Sequence, residues 1–115
     1  TALAKLKDIR KEFETNLFVP QLEGVNVELD KAIRLNDFIT MGELIAYDAL
    51  NRNESCGGHF REEYQTEEGE AKRDDENFFY VACWEYQGSD DKAPVLYKEP
   101  LVYEAIKVQT RNYKS

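Results

Sequence analysis

Cys56 and His59 stand three residues apart, and a thiol beside an imidazole could act as a nucleophile with its base. Such a pair needs an orienting third group and a site for an oxyanion, and the sequence identifies neither, so the preferred reading is a structural turn with the imidazole in a fixed hydrogen bond. Adding Cys83 gives three candidate metal ligands, short of the usual four of structural zinc and without a paired C-x-x-C or a second histidine. The carboxylates Glu62, Glu63, Glu67, Glu68, Glu70, Asp74, Asp75 and Glu76 lack the spacing of a calcium loop and read as a solvated face. Arg73, just before Asp74 and Asp75, suggests local ion pairs. No glycine-rich phosphate loop and no Ser/His/Asp set is present, and Tyr80, Trp84 and Tyr86 read as packing aromatics rather than a stacking platform. The sequence therefore assigns no catalytic, cofactor-binding or metal-ligating residue to this chain.

These residues must be positioned by the elements around them. From Ala2 to about Leu17 the apolar residues Leu3, Leu6, Ile9, Phe13 and Leu17 recur at threes and fours, the mark of an amphipathic helix. Pro20 and Gly24 break it and leave a short connector, so an antiparallel helical hairpin is expected. Asn26 is a credible N-cap for a second, long helix running to about Asn51. Its apolar arc, from Leu35, Phe38 and Ile39 round to Met41, Leu44 and Leu50, is wider than one partner helix covers, so self-association of the isolated chain is expected. Gly42 inside it reads as a point of close approach.

Gly57 and Gly58 end the helical part. Phe60 to Asn77 is polar and acidic and reads as an exposed, poorly ordered loop. Phe78 to Tyr86 is aromatic and β-branched, with apolar residues in both alternating sets, and reads as a strand covered on both faces. A turn over 88–94 leads to a partner strand from Val95 to Lys98, interrupted by Pro100. Leu101 to Thr110 is either a third, edge-placed strand or an extended tail. The fold class is thus α+β: a two-helix antiparallel hairpin (1–52), a motif and acidic loop (53–77), then a small antiparallel β-hairpin and tail (78–115), read as a single domain.

At 115 residues, with 42% apolar and 33% charged residues, the composition is that of a soluble globular domain. The formal charge of −8 disfavours a nucleic-acid partner and would repel dicarboxylates. Two cysteines fit a reducing cytosol, and no window matches a membrane span or a signal peptide. The start at Thr1, already inside a helical pattern, suggests a piece of a longer polypeptide.

The run ESCGGHFREEYQ, followed by RDDENFFYVACWEY, resembles the C-terminal region of the succinate dehydrogenase and fumarate reductase flavoprotein subunits, with L-aspartate oxidases carrying a similar run. Glu54, Ser55, Gly57, His59, Arg61, Glu62, Tyr64, Arg73, Asp74 and Asp75 match that pattern, and Cys56 stands where arginine is commonest. The resemblance implies a parent enzyme that uses FAD to interconvert succinate and fumarate and passes electrons to an iron-sulfur subunit. It also implies flavin and catalytic residues upstream in FAD-binding and capping domains, no FAD bound by this segment, and a cytoplasmic place peripheral to the inner face of the cell membrane. An independent acidic protein-interaction module is the alternative from another class and the C-terminal domain of an L-aspartate oxidase a third reading, and the residues preceding Thr1 would decide between a flavoprotein parent and the module.

Overall fold

A computed structural model describes residues 1–89 and 92–110. The chain divides into two compact units, Thr1–Asn51 and Arg52–Ser115.

The first unit is a helical hairpin. Helix α1 spans Ala2–Asn16 and α2 spans Val27–Asn51. Asn26 caps α2 as its sequence suggests: its Oδ1 accepts from the backbone N–H of Leu29 at 3.0 Å, while its Nδ2 donates to the carbonyl of Pro20 at 2.7 Å. One side chain therefore satisfies an orphan donor of the helix and holds the connector against it. The helices run antiparallel, since Leu6 lies at Gly42 and Arg10 at Thr40 and Glu43. Arg10 makes a forked ion pair with Glu43, at 2.6 and 3.1 Å, and donates to the hydroxyl of Thr40 at 3.0 Å. At the far end of the seam Phe13, Leu17, Leu35 and Ile39 line an open groove of about 300 Å³.

The seam buries little. Among the described residues Ile39 is the one buried apolar side chain, and Phe38 and Met41 are 68% and 56% exposed. The wide arc read from the sequence is thus present, with only the strip facing α1 covered. No described helix is long and apolar enough to cross a membrane.

The second unit carries α3 (Asp75–Phe78) and two antiparallel strands, β1 (Tyr80–Glu85) and β2 (Val95–Pro100), in register from Tyr80 opposite Pro100 to Glu85 opposite Val95. Helices, loop and two-stranded sheet make the α+β arrangement expected.

Three details depart from the sequence reading. Phe78 belongs to a helical turn rather than to the strand, because the carboxylate of Asp74 accepts from the N–H of Asn77 at 3.1 Å and starts that turn. Strand β1 is half-buried on the face of Tyr80, Ala82 and Trp84 and exposed on the other, so it is covered on one side only. Pro100 ends β2 instead of interrupting it, a position where the missing N–H costs no ladder bond within the strand. Of the two readings of Leu101 to Thr110, the strand does not form among the described residues, and the segment is a tail that bends at Glu104 and Ala105.

The acidic stretch is the larger correction. It is not an unstructured loop: Gln65 bridges Ala71, Thr66 N–H donates to Glu70 O at 2.9 Å, and Gly69 N–H donates back to Thr66 O at 2.9 Å. Gly69 takes a φ of 79°, the left-handed conformation that closes this turn at no steric cost. Composition counts charge, whereas these bonds are made by the backbone, which charge does not report.

The Gly42 position tests the packing of the helical seam. A methyl group there would meet Leu6 Cδ2 at 3.6 Å, an ordinary contact, so close approach does not exclude alanine. Gly42→Ala is expected to raise the stability of the helical unit by about 1 kcal/mol through helix propensity, read as a higher melting temperature of this chain. Destabilisation of similar size would show that the seam is tighter than the 3.6 Å contact indicates.

Candidate functional site

The residues of the 54–75 pattern converge in the second unit on the backbone and guanidinium of Arg52. Its carbonyl oxygen accepts two bonds, from His59 Nε2 at 3.0 Å and from Arg61 Nη1 at 3.2 Å. A carbonyl only accepts, so Nε2 of His59 carries a proton. Its guanidinium donates through Nη1 to Glu54 Oε1 at 2.7 Å and to the carbonyl of Phe78 at 3.2 Å. It also lies over the rings of Phe78 and Tyr80, 5.7 and 5.4 Å from their centroids.

Glu54 and Ser55 are the buried polar side chains of this unit, 2% and 0% exposed. The second carboxylate oxygen of Glu54 accepts from the N–H of Asp74 at 2.9 Å, so both oxygens are engaged. Ser55 is held on three sides. Its N–H donates to Lys72 O at 2.9 Å, its Oγ donates to Arg61 O at 3.2 Å, and the same Oγ accepts from Arg61 N–H at 2.8 Å. No buried side-chain polar atom among the described residues lacks a partner.

Cys56 and His59 pair through their backbones, Cys56 N–H to His59 O at 2.8 Å and His59 N–H to Cys56 O at 3.1 Å, closing a tight hairpin over Gly57 and Gly58. Gly57 has a φ of 59°, which accounts for glycine at that corner. The thiol of Cys56 is exposed and free, as is that of Cys83. The imidazole is committed to Arg52 rather than arranged as a base for the thiol.

Around this hub the remaining charges pair locally. Arg61 stacks over Tyr64 at 5.1 Å and binds Glu63 at 2.7 Å, and its guanidinium holds the Glu63 carboxyl below the usual range. Arg73 binds Asp75 at 2.5 Å, which raises the guanidinium further above its ordinary value, and reaches Gln109 O at 3.3 Å. On the sheet the Tyr97 hydroxyl donates to Glu85 at 3.1 Å, and that bond pushes the phenol up. No group of three acidic, histidine or cysteine side chains that could hold a metal ion occurs among the described residues.

The family model described as "Fumarate reductase flavoprotein C-term" matches residues 1–113. The chain belongs to the fumarate reductase flavoprotein C-terminal family. It is the C-terminal domain type of the succinate dehydrogenase and fumarate reductase flavoproteins, a family of flavoprotein oxidoreductases. Neither the curated proteins nor the solved structures give a significant match to the chain. Among the described residues no strand runs through a glycine-rich turn into a helix, the arrangement that cradles a dinucleotide's phosphates, and every buried side-chain polar atom has a partner.

Seven of the ten matching residues meet around one hub: Glu54, Ser55, His59, Arg61 and Asp74 bond within it, and Arg73 and Asp75 pair beside it, while Gly57 forms the hairpin corner, Tyr64 lies under Arg61 and Glu62 offers its carbonyl to Gln65. Arg52, the centre, was not singled out by the sequence reading, nor was its contact with Phe78. The signal available was Glu54 itself, a carboxylate beside Ser55 that, once buried, requires a nearby cation.

Removing the two halves of the Arg52–Glu54 pair should have unequal effects. Arg52→Met strands a carboxylate that is only 2% exposed and should cost about 3–5 kcal/mol, while Glu54→Gln leaves a partly solvated guanidinium and a retained acceptor and should cost less. Ser55→Ala, which empties both bonds to Arg61, should cost about 1–3 kcal/mol. Denaturant midpoints of the three variants check the ranking, and an Arg52→Met variant as stable as wild type would remove the hub from the account.

Proposed function

We propose that this chain is the C-terminal segment of the flavoprotein subunit of a succinate dehydrogenase or fumarate reductase, and that it acts there as a structural brace. The observation that carries the reading is the family match along residues 1–113, together with a motif whose polar groups are spent on each other. In this reading the parent interconverts succinate and fumarate with FAD held by upstream FAD-binding and capping domains. FAD would supply the hydride-accepting chemistry, and no step is assigned to residues of this chain. Electrons pass to an iron-sulfur subunit and on to membrane quinone, which sets the parent at the inner face of the cell membrane through its partners.

Two features of the chain support a bracing role. Helix α2 presents Phe38, Met41 and Ile45, spaced along one face and all exposed, as apolar surface for a neighbouring part of the parent to cover. The polar hub gives the second unit a fixed shape without a large apolar core, as a spacer between moving or folded neighbours requires.

Two measurements test this. In the intact flavoprotein, Cys56→Ser should leave succinate–fumarate turnover within a few-fold, because the backbone of Cys56 makes its structural bonds and the thiol makes none of them. A loss of about 10³ or more would identify a nucleophile instead. The 115-residue chain alone should self-associate through α2 in sedimentation experiments, and purify without flavin. A strict monomer at high concentration would mean that the exposed arc is not a covered surface in the parent.

A further inference from the structure

We draw no further inference here: the strongest candidate, the exposed apolar face of α2 around Phe38, Met41 and Ile45, carries nothing beyond the brace already described, because the neighbouring cations Lys31 and Arg34 are paired with Glu28 and Asp30 of the same helix and nothing in the structure shows what covers the face.

Discussion

A carboxylate taken out of water must be repaid by charge and hydrogen bonds, and Glu54 imposes that requirement on the whole second unit. Burial of an unpaired carboxylate would cost several kcal/mol, enough to consume much of a small domain's stability. Arg52 and the Asp74 N–H meet the need, and their positions fix two distant points of the chain at once. Asp74, once placed, caps the turn of α3, and that turn delivers Phe78 and then β1 to the guanidinium of Arg52. The short sheet is therefore tied to the motif through one arginine, rather than through a shared apolar core.

The two units solve the stability problem differently. The helical unit rests on a seam of apolar contacts with one forked ion pair, Arg10 with Glu43, and leaves much of its apolar surface in water. The second unit fully buries no apolar side chain among its described residues and uses a network of hydrogen bonds instead. Such a set specifies geometry well, because every member loses a partner if another moves, but each net bond contributes only about 1 kcal/mol. A unit built this way keeps its shape at low apolar cost and gains further stability from whatever covers it.

Periodicity made the helices legible, and Asn26 was legible because capping chemistry is local. The sheet was legible in its aromatic and β-branched run, though its start was not, because Asp74 draws Phe78 into a turn that composition does not announce. The order within 60–77 was hidden for a related reason. Its bonds run between backbones and through Ser55, whose ordinary residue type gives no sign that it is fully buried. The resemblance located the motif correctly as a set, while the identity of Arg52 as its centre needed the third dimension: a residue acting through both its carbonyl and its guanidinium has no signature in spacing.

Cys56 shows how a departure from a family's pattern can be read physically. The position is defined by two backbone bonds to His59 and by the left-handed corner at Gly57, and the side chain points to solvent. A side chain that contributes nothing to the turn is free to differ, so cysteine in place of the commoner arginine leaves the hub intact. Glu54 and Ser55 have no such freedom, since both of their side chains are buried and fully bonded. What the motif requires is thus a set of hydrogen bonds centred on Arg52, and residue identity matters where a side chain makes one of them or where, as at Gly57, the backbone takes a left-handed corner.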